Sequence, residues 1–143
     1  MKKFMLLIVA LAFGLVSAVA QDQAKADDLK FESKSYDFGT VMQNEKVEHT
    51  FPFENASGHT IVITNVRTTC GCTVPEWPRE PIASGEASEI GAVFNTRGKR
   101  NYQRKVITIN YTVKGKDGEE DQQKTSTVSL VGTVKVPEPA SGN

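Results

Sequence analysis

Residues 46–55 read KVEHTFPFEN, and their alternation decides the fold. Val47, His49, Phe51 and Phe53 fall on one face of an extended chain, with Glu48, Thr50, Pro52 and Glu54 on the other. A period of two with one apolar face marks a strand half-buried in a sheet; a helix would return its apolar residues every third or fourth position. The period recurs downstream. SEIGAVFNT aligns Ile90, Ala92 and Phe94, and RKVITINYTV aligns Ile107, Ile109, Tyr111 and Val113. TVSLVGTVKV aligns Val128, Leu130, Val134 and Val136. TIVITNV is apolar on both faces, which suits a central strand. Pro52 has no N–H to give a neighbour, so its strand is expected at an edge or at a bulge.

Turn chemistry separates these runs: Asn55-Ala56-Ser57-Gly58, Ala83-Ser84-Gly85-Glu86, Arg97-Gly98-Lys99, and a polar loop from Lys116-Asp117-Gly118 to Lys124. With KFES and YDFGTV added near the start, the pattern gives about seven strands in roughly a hundred residues. No run has helical spacing. The expected fold is an all-β, immunoglobulin-like two-sheet β-sandwich spanning residues 29–136.

The ends of the chain read differently. MKKFMLLIVALAFGLVSAVA has a basic start, an apolar run and a small-residue site at Ala18-Val19-Ala20, so residues 1–20 are expected to be a signal peptide. The apolar run is shorter than the ~20 residues a membrane span prefers. Residues 21–28 read as a flexible leader and residues 137–143 as a disordered tail. Lys and Arg number 17 and Asp and Glu 17; without Lys2 and Lys3 the cations fall to 15 and the formal charge to −2. That balance argues against nucleic acid as a partner. An exported protein, periplasmic or extracellular and without a membrane span once its signal is removed, is the expectation.

Three segments stand in order: YDFGTVMQNEKVEHTFPFENASG, ITNVRTTCGCTVPEWPREPIASGE and FNTRGKRNYQRKVITINYT. They carry Asp37-Phe38-Gly39, His49-Thr50-Phe51, the Thr-Cys-Gly-Cys-Thr turn, and Pro81-Ile82 followed by Gly85-Glu86. With these motifs the chain resembles the domain of unknown function 1573 family, exported bacterial proteins common in Bacteroidetes. The resemblance implies an immunoglobulin-like fold, similar to domains of cilium and centrosome scaffolds and of major sperm protein. It implies no activity, and fold alone supplies none.

The two cysteines, Cys70 and Cys72, flank Gly71. In an oxidising compartment a disulfide is the default. Two extended residues span roughly 6.6 Å, near the upper limit of ~6.8 Å for bridged Cα atoms. Closing a loop of about three residues is worth roughly 1.6 kcal/mol, against ~3 for fifteen residues, so such a bridge is a weak staple. The pair reads as a structural turn, a redox pair, or a weak Cu(I) site of two thiolates. Zinc would need two more ligands, and His49 and His59 lack the spacing to supply them. A redox cysteine usually sits beside a cation or a helix end, and no helix is expected here.

Trp77 stands in a stretch where Pro75, Pro78 and Pro81 enforce stiffness; it reads as a lid on the open end of the sandwich or as an interface anchor. Arg97, Lys99, Arg100, Arg104 and Lys105 form a basic hairpin around Tyr102 with no acid among them. It reads as a solvated tip or as a contact for an anionic polymer. The loop Asp117–Asp121 lacks the oxygen spacing of a calcium site. Two Asn-x-Ser/Thr sequons, at Asn55 and Asn110, read as coincidence. There is no phosphate-binding glycine loop, zinc-protease helix or nucleophile elbow. The expected function is therefore a non-enzymatic binding or scaffolding module of the cell envelope. It needs no cofactor, its partner is an envelope protein or glycan, and its contact candidates are Trp77, Arg97, Lys99, Arg100 and Tyr102. The alternative is a thiol-active protein, exchanging disulfides or binding Cu(I) through Cys70 and Cys72.

Overall fold

The computed structural model describes residues 27–138. The expected signal peptide, leader residues 21–26 and tail residues 139–143 lie outside them. Eight strands form: β1 (Leu29–Phe31), β2 (Ser35–Met42), β3 (Lys46–Asn55), β4 (Ile61–Thr68), β5 (Thr73–Glu76), β6 (Ala87–Asn95), β7 (Asn101–Val113) and β8 (Gln122–Lys135). They make two four-stranded sheets, ordered β1-β3-β6-β5 and β2-β8-β7-β4. All pairs are antiparallel except β2 with β8. The sheets face each other across one core of Phe51, Phe53, Ile90 and Phe94 on one side and Ile61, Ile107, Ile109, Val128 and Leu130 on the other. Burying each such side chain is worth about 1.5–3 kcal/mol, which is what the alternation secures.

Three sequence expectations shift. First, β4 carries TIVITNV but lies at a sheet edge, not at the centre. Its register slips between Ile63 and Asn65. A bulge reverses which side chains face inward. Ile61 and Ile63 reach the core before it and Val66 after it, so apolar residues on both formal faces serve one buried face. Second, β3 is an inner strand. Its Pro52 carbonyl accepts from Glu32 N–H (3.2 Å), on the side where β1 has already ended. A residue's N–H and C=O point the same way in an antiparallel strand, so the donor Pro52 lacks is missing only from that frayed margin. Third, β8 stops at Lys135, and Val136 is 51% exposed rather than in line with Val134.

Asp37-Phe38-Gly39 is a bulge in β2. The register with β8 shifts between Asp37 and Thr40, and Gly39 adopts φ +68° while its N–H donates to Asp37 Oδ1 (2.8 Å). That geometry admits glycine readily and seats the Phe38 ring over the core, 5.9 Å from Phe94. Asp28, at the end of the expected leader, is tied to the sandwich. Its Oδ2 accepts from Lys124 Nζ (2.6 Å) and from the Tyr111 hydroxyl (3.2 Å). Burial, then the Asp28 charge and this hydrogen bond, push the Tyr111 phenol well above its ordinary pKa.

Candidate functional site

Cys70 and Cys72 sit where the chain leaves β4, the edge of one sheet, and enters β5, the edge of the other. They are bonded to each other, with Cα atoms 5.2 Å apart. In this form neither sulfur is a thiolate that a soft metal could bind. Among the described residues no three His, Cys, Asp or Glu side chains are grouped to hold a metal. The corner is also tied by its backbone. The Thr68 hydroxyl lies 2.7 Å from Cys70 O and 3.1 Å from Thr73 O. Thr73 N–H donates to Cys70 O (3.3 Å), Thr69 N–H to Val106 O (3.2 Å) and Asn95 N–H to Cys72 O (2.8 Å).

The last of these bonds fixes the polarity of β5. The backbone groups of Cys72 face β6, so those of Val74 and Glu76 do too, while the backbone groups of Thr73 and Pro75 point away from it. Thr73 has both its backbone groups engaged within the corner, and Pro75 has no N–H. The outer edge of β5 is therefore closed to an added strand.

Trp77 folds back and packs, half-buried, on the core, and the Arg79 guanidinium stacks on its ring at 3.8 Å. Of the two readings of Trp77, lid and interface anchor, this placement is the lid geometry, and no sequence signal pointed to Arg79 as the residue covering the indole.

The basic turn between β6 and β7 lies at the same end of the sandwich as the Cys70–Cys72 corner. It is rigid. Buried Thr96 donates to Glu45 O (2.6 Å), Gln43 Nε2 donates to Lys99 O (2.9 Å), and Arg97 N–H donates to Asn95 Oδ1 (3.0 Å). Arg97, Arg100 and Arg104 are exposed, and Tyr102 is 65% exposed. None of these arginines, nor Lys99, makes an ion pair among the described residues. Lys105 departs from the expected group. Alternation along β7 turns it inward, with Nζ 5.2 Å from the centre of the Phe94 ring. Burial, then the nearby Lys99, lowers its pKa.

Sheet pairing extends this surface. On the solvent face of β7, Tyr102, Arg104, Thr108 and Asn110 stand opposite Thr133, Val131, Thr127 and Thr125 of β8, and Arg67 of β4 stands opposite Thr108. Two shallow concavities lie along it, of about 440 Å³ beside Tyr102 and Arg104 and about 340 Å³ beside Arg67 and Asn110. A larger cleft, of about 700 Å³, opens at the opposite end between Asp28, His59, Lys114 and Asp121. There Lys114–Asp121 and Lys124–Asp28 pair at 2.6 Å each, and Glu119 and Glu120 add acidic charge without an ion pair among the described residues.

The fold has counterparts among solved structures. The ASH/PapD-like domain 7 of human CEP192 superposes with a TM-score of 0.61 at 13% identity, over 78% of this chain and 87% of that one. The Vibrio cholerae VesB protease matches with a TM-score of 0.61 at 12% identity, over 75% of this chain and 32% of that one. The E. coli chaperone DraB matches with a TM-score of 0.53 at 10% identity, over 74% of this chain and 55% of that one. The chain thus spans about a third of the protease and just over half of the chaperone. At these identities the likeness is one of fold. No curated protein matches the sequence. The family model described as a protein of unknown function, DUF1573, covers residues 29–133, and the chain belongs to that family.

Proposed function

We infer that the protein is a non-enzymatic binding or scaffolding module, exported to the cell envelope, which holds an anionic partner on the basic end and outer face of the β2-β8-β7-β4 sheet. One observation carries this reading: Arg97, Lys99 and Arg100 on the turn and Arg104 on β7 stand around exposed Tyr102 without an ion pair among the described residues. Fixed like charges of this kind raise the local potential even in a chain without net positive charge. The neighbouring Thr108 and Thr127 hydroxyls offer donors suited to the oxygens of an acidic glycan, as does the Asn110 amide nitrogen, whose Oδ1 already accepts from Thr125 (2.9 Å). Tyr102 offers a flat apolar face with a polar tip. The closed edge of β5 makes recognition by this face a better fit than strand addition there. Export rests on the amino-terminal pattern of residues 1–20 and is checked by sequencing the mature amino terminus, expected at Gln21. Binding is tested on immobilised heparin as an anionic polysaccharide. Salt-sensitive retention supports the reading, and flow-through at low salt contradicts it.

A further inference from the structure

We propose that the Cys70–Cys72 bridge is an exchangeable disulfide that accepts two electrons from a dithiol of a partner protein. Three observations carry this. The bridge closes a loop of sequence separation 2, so it removes little freedom from the unfolded chain. The corner is already held by the Thr68, Thr69, Thr73 and Asn95 hydrogen bonds, none of which involves sulfur. Opening the bond therefore leaves the turn tied. The two sulfurs also differ in setting: both residues are half-exposed, but only Cys72 packs against the core.

Arg67 and Arg79 are the cations nearest the cysteines in sequence, and the fold adds Lys105, anchored to the corner from both sides. Lys105 turns inward to Phe94. Phe94 pairs with Thr73 and precedes Asn95, whose N–H holds Cys72 O. On the other side, Val106, the neighbour of Lys105, accepts from Thr69. Both flanks of the Cys-Gly-Cys turn are thus anchored one residue from groups that belong to or touch Lys105. A neighbouring ammonium favours a thiolate, and a better thiolate leaves faster.

The exchange runs in two displacements. A donor thiolate attacks Cys70 Sγ; a donor-to-Cys70 bond forms, the Cys70–Cys72 bond breaks, and its electron pair leaves on Cys72 Sγ, which takes up a proton. The donor's second thiol, once deprotonated, attacks its own sulfur in the mixed disulfide. Cys70 Sγ leaves with the electron pair and is protonated. The donor ends as a disulfide and the Cys70/Cys72 pair as two thiols. Cys70 is the residue attacked, Cys72 the leaving group of the first displacement, and Lys105 a positioning charge.

The test uses the mature chain in glutathione buffers of graded ratio, followed by alkylation and mass spectrometry. The expected result is passage from bonded to dithiol within those buffers. A bridge that stays fully bonded in large excess of reduced glutathione overturns the proposal. A reduced peptide with two cysteines serves as model donor. One peptide disulfide should form for each pair of alkylatable thiols that appears, and no peptide oxidation also overturns it. Among folded single variants, Cys72→Ser should react through Cys70 with oxidised glutathione at least ten times faster than Cys70→Ser reacts through Cys72; equal or reversed rates remove the assignment of roles. Lys105→Gln should slow alkylation of the reduced wild-type pair without changing the melting temperature, and an unchanged rate removes Lys105 from the account. Heparin retention is read on the same samples, so failure of the exchange and failure of the binding reading are separate outcomes.

Discussion

The Phe38 ring occupies the space in which a side chain at residue 132 would begin: a Cβ on Gly132 would lie 2.4 Å from Phe38 Cδ2 and 2.7 Å from Gly39 O. Gly132 stands between Leu130 and Val134 on the core face of β8, and its missing side chain makes room for the β2 bulge. Gly132→Ala should therefore lower stability by about 1–3 kcal/mol through overpacking. Urea unfolding measures it, and an unchanged midpoint would show that β2 does not pack there.

Asn55 is a hub rather than a simple turn residue. It is fully buried, and its Nδ2 lies within hydrogen-bond reach of His59 O (2.8 Å), Ile82 O (2.9 Å) and Ala83 O (3.1 Å). Its Oδ1 accepts from the Ser57 hydroxyl (2.7 Å) and Ser57 N–H (3.1 Å). Asn55→Ala should cost at least about 2 kcal/mol, because it strands several buried partners at ~1–3 kcal/mol each. Loss of less than about 0.5 kcal/mol in the same unfolding measurement would contradict this role. The same burial leaves the Asn55 sequon no room for a glycan.

These two residues mark how far the sequence was readable. Strict alternation in β3, β6, β7 and β8 exposed the core face because period two is local and needs no knowledge of neighbours. Strand order is non-local, so TIVITNV could not reveal that a bulge had moved an edge strand's side chains into phase. Asn55 signalled a turn through its type, but its burial depends on the Ile82–Ala83 segment arriving from 27 and 28 residues away. At the candidate sites the cysteine pair, Trp77 and the basic turn were legible as residues. Arg79 over Trp77 and the inward aim of Lys105 were not, because each depends on where a long side chain lies in the folded chain.

His49 lies on the core face of β3, half-buried, and stacks on Tyr36 of the opposite sheet at 3.7 Å and 4° between planes. Burial lowers its pKa below the ordinary value of 6.5. As the pH falls below about 6.5, the unfolded chain takes up a proton that the folded one resists, so this residue's contribution favours folding at neutral pH and is lost in acid. His49→Phe removes that term. The stability difference, wild type minus variant, should decline between about pH 7 and pH 5, in denaturant titrations at each pH. A constant difference would contradict the burial of the imidazole.

Removal of the bridge should be tolerated. The Cys70→Ser/Cys72→Ser double variant should retain its fold and lose no more than about 1.6 kcal/mol, the loop-closure figure for so short a ring. Thermal melting followed by circular dichroism measures this. Loss of the cooperative transition would show that the sulfur bond, not the backbone hydrogen bonds, holds the β4–β5 corner.

The basic end carries the functional reading, and one comparison tests it most directly. The mature protein and its Arg97→Glu/Arg100→Glu/Arg104→Glu variant are passed over immobilised heparin at low salt, with melting temperatures taken on both. The expected result is wild-type retention, reversed by salt as screening shortens the reach of the charges, and flow-through of an equally stable variant. Equal retention of the two proteins, or wild-type flow-through, would contradict a recognition surface at Arg97, Lys99, Arg100, Tyr102 and Arg104.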